Sequence, residues 1–227
     1  MRPETRSKFH AELFDLEAGV VEMGGLAADS VKSAVDALVR RDRQAARTVI
    51  AGDDEIDSRY LSIERRILDL FALQTPVASD LRLVSVIQHT NLHLERVGDQ
   101  AVNISKINLA TMELPTSAVI LSHLAEMADV VSRMVRVAME AFERRDLDLC
   151  LRLPQMDDPV DKLNRGMYLE VVKLAADPAL LEWGIQMNVA ARALERVGDN
   201  AVDIGEQVSF LLTGEFREFT DASHDET

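Results

Sequence analysis

The 227-residue chain contains 39 Asp and Glu residues against 25 Lys and Arg residues, which gives it a formal net charge of −14. This excess of negative charge repels a phosphate backbone and argues against nucleic-acid binding. Cys150 is the only cysteine, so the chain can form neither an intrachain disulfide nor a cysteine-based zinc knuckle. The N-terminal segment is too polar for a signal peptide, and the sequence contains no run of about 18 apolar residues that would span a bilayer. We therefore expect a cytoplasmic protein.

The distribution of apolar residues predicts an all-α fold. Apolar side chains recur every three or four positions rather than every second one, and Ala, Leu, Glu, Arg and Met, which favour helices, are abundant. Prolines or helix-capping residues interrupt this pattern near Asp42, Pro76, Pro115, Asp146 and Pro178. The sequence thus predicts six helices, at 4–40, 43–73, 76–111, 116–144, 146–175 and 178–212.

The chain contains an internal repeat. The segment LERVGDQAVNI at Leu94 to Ile104 recurs as LERVGDNAVDI at Leu194 to Ile204. An earlier block, RRD followed by a DD pair, also occurs twice, once in each half of the chain. The repeating unit is therefore three helices, and we expect two tandem three-helix bundles, over 1–112 and 113–214, with a polar acidic tail at 215–227 that is disordered.

Each repeat carries two pairs of acidic residues spaced i, i+4, which places each pair on one helix face. In an antiparallel helical hairpin, residues equidistant from the turn lie at the same height. The acidic pairs of the first repeat are centred on Pro76 and those of the second on Pro178, and both prolines stand at predicted turns. The two pairs of each repeat therefore lie at the same height, although spacing alone does not fix the rotation of the helices. The residues are Asp53, Asp57, Glu95 and Asp99 in the first repeat, and Asp157, Asp161, Glu195 and Asp199 in the second.

Two interpretations of these acidic pairs are open, a solvated surface or a metal site. Four carboxylates at one height raise one another's pKa and destabilise the fold unless they are exposed, protonated or neutralised by a cation. The occurrence of the same arrangement in both repeats favours metal binding. Ligands that are all oxygen atoms suit Mg²⁺, Mn²⁺ or Fe³⁺, and zinc is less typical with carboxylates alone.

The two predicted sites differ in charge. In the second repeat Asp203 and Glu206 extend the acidic stripe along the last helix, whereas the first repeat has Asn103 and Lys106 at the corresponding positions. If these outer residues take part, the second site binds cations differently from the first.

Pro159 complicates the second repeat. Asp158 followed by Pro159 is typical of an N-cap and a first-turn proline, which predicts that a new helix starts there and that Asp157 points elsewhere. Pro154 adds to the expectation of a kink. Asp161 is accordingly the firmer ligand of that pair.

His89 and His93 have the i, i+4 spacing of a zinc-binding helix. At about 100° per residue neither shares a face with Glu95, so we expect them on the surface or at the edge of the core. Gly98 and Gly198 interrupt helices at a cost of about 1 kcal/mol relative to alanine, which indicates a close approach by a neighbouring helix or a bound cluster.

These motifs resemble the PhoU family of phosphate-signalling regulators. The residues that carry the resemblance are DDEID at Asp53 to Asp57 and DDPVD at Asp157 to Asp161, each combined with LERVGD. The resemblance covers about residues 10 to 212. It implies a cytoplasmic protein that can form a homodimer. It also implies that protein partners recruit this protein to the membrane. There it would act with a phosphate ABC transporter and a sensor kinase to repress starvation genes and limit uptake. It also implies multinuclear iron or zinc at the eight acidic residues.

Two other function classes remain as alternatives. A carboxylate-bridged di-metal enzyme of the ferritin-like kind needs Glu-x-x-His pairs, and neither Glu95 nor Glu195 is followed by a histidine three residues later. A metal-free helical scaffold would use the acidic motifs to bind a basic partner. The sequence contains no nucleophile, phosphate-binding or dinucleotide motif, so we expect a protein that is not an enzyme.

Overall fold

The structure, a computed structural model, describes residues 3–73 and 78–219, and in these ranges it contains six α-helices and no strand. The prediction of an all-α fold is confirmed, but the predicted turn at Pro76 and the tail beyond residue 219 lie outside the described residues. The helices are α1 (Pro3–Arg40), α2 (Arg43–Leu73), α3 (Ala78–Ala110), α4 (Ala118–Arg144), α5 (Leu147–Val172) and α6 (Pro178–Thr213).

The six helices form two three-helix bundles packed side by side. Helices α1 to α3 contact one another, as do α4 to α6, and the bundles meet where α3 packs on α6 and α1 on α4. Helices α2 and α5 contact only their own bundle, so they form the outer layer. A continuous apolar core runs through both bundles, because each inner helix buries side chains on more than one face. The outer position of α2 and α5 leaves the α2–α3 and α5–α6 hairpins open to solvent along one side.

The repeated RRD block ends one helix and begins the next. Arg41 and Arg145 both have left-handed backbone conformations, with φ of 54° and 56°, which end α1 and α4. Asp146 then caps α5 by accepting hydrogen bonds from the backbone N–H groups of the first turn. In the same way Asp177 caps α6, where Pro178 occupies the first turn. These local signals place the acidic residues at fixed distances from the helix ends.

The prediction that a new helix starts at Pro159 is wrong, because α5 continues without interruption through Pro154 and Pro159. A proline inside a helix removes a backbone hydrogen bond at a cost of about 3 kcal/mol or more. The buried side chains of Leu153, Val160 and Met167 lie on one face of α5, and their burial against the bundle offsets this cost. Asp157 therefore stays on the same helix face as Asp161.

Helix α5 also ends earlier than predicted, at Val172 rather than residue 175. Tight turns follow, in which the N–H of Leu174 donates to the carbonyl of Val171 and that of Asp177 to the carbonyl of Leu174. A further difference concerns residues 215–219, which belong to the segment predicted to be disordered. They leave α6 without helical structure but make defined contacts with it.

Candidate metal-binding pockets

The structure brings the four acidic residues of the first repeat together between α2 and α3. Burial raises the pKa of Asp53, and the nearby carboxylates of Asp57 and Asp99 raise it further. The pKa of Glu95 is raised by burial first, and then by the negative charges of Asp99 and Asp57. Each helix therefore places its pair within the electrostatic reach of the other pair, which is the rotation that spacing alone did not establish.

The acidic residues of the second repeat line a pocket of about 330 Å³ between α5 and α6. Asp203, whose counterpart in the first repeat is Asn103, also reaches this pocket, so the second site is the more acidic of the two. Arginines neutralise part of the charge, because Arg165 lies 3.5 Å from Asp161 and Arg192 lies 3.5 Å from Glu195. The lining residues are Pro154, Asp157, Asp158, Asp161, Glu195, Asp199, Val202, Asp203 and Phe219.

Gly98 and Gly198 each make room for one carboxylate of the neighbouring helix. A Cβ atom on Gly98 would lie 3.1 Å from Oδ1 of Asp53, and a Cβ atom on Gly198 would collide with the carboxylate of Asp157. In both repeats the first aspartate of the outer helix thus occupies the space that a side chain at the glycine would fill. The close approach predicted from the two glycines is present, and it explains why LERVGD has glycine next to aspartate.

The donor set fits a hard cation, because all eight predicted ligand residues of the two repeats are carboxylates. Within residues 3–73 and 78–219, however, no three His, Cys, Asp or Glu side chains converge closely enough to form a ready-made metal site. A bound cation would have to draw the carboxylates inward, and the glycine gaps allow at least one of them in each pocket to lie close to the opposite helix.

His93 connects the first bundle to the wall of the second pocket. Its Nδ1 atom lies 2.8 Å from Oδ1 of Asn200 and 3.5 Å from Oδ2 of Asp203. The Nδ2 group of Asn200 donates to the carbonyl of Arg196 at 2.6 Å, so Oδ1 faces His93 and the imidazole Nδ1 donates to it. Sequence reasoning missed this contact. The sequence feature that could have indicated it is a difference between the repeats, because the second repeat has Ala193 at the position of His93 in the first.

The raised pKa values of Asp53 and Glu95 predict how stability depends on pH without metal. In the folded state both groups have pKa values above their ordinary values of 3.8 and 4.5, so they hold their protons more tightly. The contribution of these two groups to the free energy of unfolding is therefore largest below these values, and it is lost as pH rises through the raised folded pKa.

In chelator, we expect Asp53→Asn to flatten this decline and to raise stability at pH 7 above that of the wild type. Urea unfolding between pH 4 and pH 7 measures both effects. Asp69→Asn is the matched control on α2, because Asp69 is exposed and lies outside the pocket. A decline of equal steepness in Asp53→Asn and the wild type would contradict the assignment.

The fold and the two acidic sites define the class of protein, a tandem repeat of helical bundles with a carboxylate cluster between α2 and α3 and a carboxylate-lined pocket between α5 and α6. We refer to these two sites as the first and the second pocket. None of the described helices combines the length and apolar character needed to cross a membrane. The model of the PhoU domain matches the chain twice, at residues 20–107 and 124–208. The chain therefore belongs to the PhoU family, as its motifs indicated.

Relatives match over nearly the whole chain. The phosphate-specific transport system accessory protein PhoU homolog of Caulobacter vibrioides is 32% identical over 95% of this chain and 94% of its own length. The crystal structure of PhoU from Pseudomonas aeruginosa has a TM-score of 0.86 and 34% identity, and the match covers 91% of this chain and all of that one. The regulatory protein PhoU of the phosphate transport system from Streptococcus pneumoniae has a TM-score of 0.84 and 28% identity, over 92% of this chain and 99% of that one.

Proposed function

We propose that this chain is an accessory and regulatory protein of phosphate transport, which represses phosphate-starvation genes and limits uptake when phosphate is plentiful. The observation that carries the proposal is the twofold PhoU domain match, and each matched segment carries one set of the paired acidic residues. Relatives that match along nearly their full length are named as phosphate transport accessory proteins. Because such matches include both bundles, the proposal concerns the whole two-repeat unit.

Metal binding at the two pockets is the second part of the proposal. Asp53, Asp57, Glu95 and Asp99 would hold a cation in the first pocket, and Asp157, Asp161, Glu195 and Asp199 would hold one in the second. A bound cation would neutralise carboxylates that otherwise repel one another, and it would join the outer helix of each bundle to an inner one. We assign the bound cation a structural and regulatory role, because it would hold the two helices of each hairpin together. Hard cations such as Mg²⁺, Mn²⁺ or Fe³⁺ suit these ligands best, with zinc as the softer alternative.

The third part concerns partners, which we propose to be components of a phosphate ABC transporter and its sensor kinase. A chain with a formal net charge of −14 is repelled by an anionic lipid surface. A location at the membrane therefore requires a protein partner, and one with a basic surface complements the charge of this chain. Such an interaction weakens as salt screens the charges, over a Debye length of about 10 Å at 0.1 M.

Gene deletion followed by complementation tests the regulatory role. We expect deletion to derepress phosphate-starvation genes in phosphate-rich medium and the wild-type gene to restore repression. Affinity purification at low salt is expected to recover transporter or kinase components, and purification at high salt to lose them. Unchanged phosphate-responsive expression in the deletion strain would contradict the regulatory role and favour a scaffold with another partner.

A further inference from the structure

After α6 the chain turns back and packs along the helix that it has just left. Gly214 has a left-handed conformation with φ of 78°, which ends α6 and reverses the direction of the chain. The ring of Phe216 then stacks on Phe210, with ring centres 3.7 Å apart and an angle of 14° between the planes. The guanidinium of Arg82, from the first bundle, lies over the Phe210 ring, 5.6 Å from its centre. We refer to residues 214–219 as the strap.

The strap ends at the second carboxylate pocket. The backbone N–H of Phe219 donates to Oε1 of Glu206 at 2.6 Å. The Phe219 ring lies against α6 at Gly205, where a Cβ atom would be 3.4 Å from its Cε2 atom. The same ring forms part of the lining of the pocket, beside Asp203 and the acidic residues of α5. The strap thus covers one side of the pocket and engages the carboxylate that continues its acidic stripe.

The first pocket has no such cover. The chain leaving α3 runs through residues 111–117 directly into α4. The positions that correspond to Gly205 and Glu206 are Ser105 and Lys106, so the first repeat has neither the gap for an aromatic ring nor the carboxylate acceptor. The strap is therefore a feature of the second pocket alone, within the part of the chain that the structure describes.

We propose that the strap is a displaceable cover that limits the access of divalent cations to the second pocket. The inference rests on the proposed metal binding, whose regulation it describes. While the strap is docked, the Phe219 ring closes one side of the pocket, and the backbone N–H of Phe219 donates a hydrogen bond to the Glu206 carboxylate. When the strap is displaced, Glu206 can turn toward the other carboxylates and add a negative charge beside Asp203, which attracts a cation more strongly.

The coupling must act in both directions. If docking of the strap weakens cation binding, a bound cation weakens docking of the strap by the same factor. A cation bound in the second pocket would then expose the strap, whereas a cation bound in the first pocket would not. The two repeats would thereby respond differently to the same cation.

Calorimetric titration with Mn²⁺ tests the first direction. In a Glu95→Gln/Asp99→Asn background only the second pocket keeps its four carboxylates. There we expect Phe219→Ala, which removes the ring that holds the strap on α6, to undock the strap and bind Mn²⁺ about tenfold more tightly than the background itself. That factor corresponds to one charge-assisted hydrogen bond, the one that Glu206 accepts only while the strap is docked. Phe219→Pro, which removes the N–H donor, is expected to have an effect of similar size. In a Glu195→Gln/Asp199→Asn background, which leaves only the first pocket, Phe219→Ala is expected to change nothing.

Limited trypsin digestion tests the other direction without measuring affinity. Cleavage after Arg217 releases the peptide 218–227, which mass spectrometry detects. We expect Mn²⁺ to accelerate this cleavage in the wild type, and Phe219→Ala to be cleaved rapidly with or without Mn²⁺. If Mn²⁺ binds both pockets but Phe219→Ala alters neither affinity nor cleavage, the strap inference is overturned while the proposed metal binding stands. If no variant binds Mn²⁺, both are overturned.

Discussion

Saturating Mn²⁺ is expected to raise the melting temperature of the chelator-treated protein by about 5 to 10 °C for each pocket that it fills. A ligand at 100 times its dissociation constant stabilises the folded state by about 2.7 kcal/mol, and each kcal/mol moves the melting temperature of a chain of this size by about 2 to 4 °C. The effect is expected because a cation stabilises the charged form of carboxylates such as Asp53 and Glu95, whose pKa values are raised first by burial and then by neighbouring negative charges. Differential scanning calorimetry with and without Mn²⁺ measures it.

Neutral variants separate metal binding from a general effect of salt. Glu95→Gln and Glu195→Gln keep the volume of the side chain but remove its charge, so each is expected to lose about half of the Mn²⁺-dependent rise, and the double variant all of it. Glu113→Gln is the matched control, because Glu113 lies outside both pockets with 89% of its side chain exposed. An unchanged melting temperature with Mn²⁺, Zn²⁺ and Fe³⁺, together with no metal by elemental analysis, would contradict metal binding.

The heights of the acidic pairs were predictable because an α-helix has a fixed rise and its ends carry strong local signals. Pro178 and its capping residue Asp177 lie where the sequence placed the second turn, and α6 starts there. The rotation of the helices was not predictable, because it depends on which side chains fill the gaps between them. The position of Asp157 against Gly198 is such a detail of packing, and neither residue alone reveals it.

Tertiary context also explains the predictions that were wrong or incomplete. A local signal at Pro159 favours a helix start, but the burial of Val160 in the core holds α5 together across it. The helical angle between His93 and Glu95 correctly predicted that His93 does not join the acidic residues of its own repeat. No local rule, however, places Asn200 of the other repeat opposite His93. A polar composition predicted disorder from residue 215 onward. It did not account for Phe216 and Phe219, whose rings find apolar surface on α6.

Truncation of a core side chain is expected to destabilise the fold without changing the response to metal. Phe142 of α4 is fully buried, and its ring packs under the guanidinium of Arg145, 4.7 Å from the ring centre. Arg145 also pairs with Glu17 of α1, so Phe142 lies where the two bundles are joined. Phe142→Ala leaves a cavity at this junction and is expected to lower the free energy of unfolding by about 3 to 5 kcal/mol, or the melting temperature by about 10 °C.

The matched control for Phe142→Ala is Phe14→Ala, which removes the same atoms from a side chain of α1 that is 72% exposed. Its effect is expected to stay within about 0.5 kcal/mol of the wild type, as for other surface substitutions. Urea unfolding measures both variants. Because α1 and α4 carry none of the eight pocket carboxylates, Phe142→Ala should retain the full Mn²⁺-dependent rise from its lower starting temperature. Loss of that rise in a variant that remains folded would show that the pockets depend on the junction between the bundles, and not on the α2–α3 and α5–α6 hairpins alone.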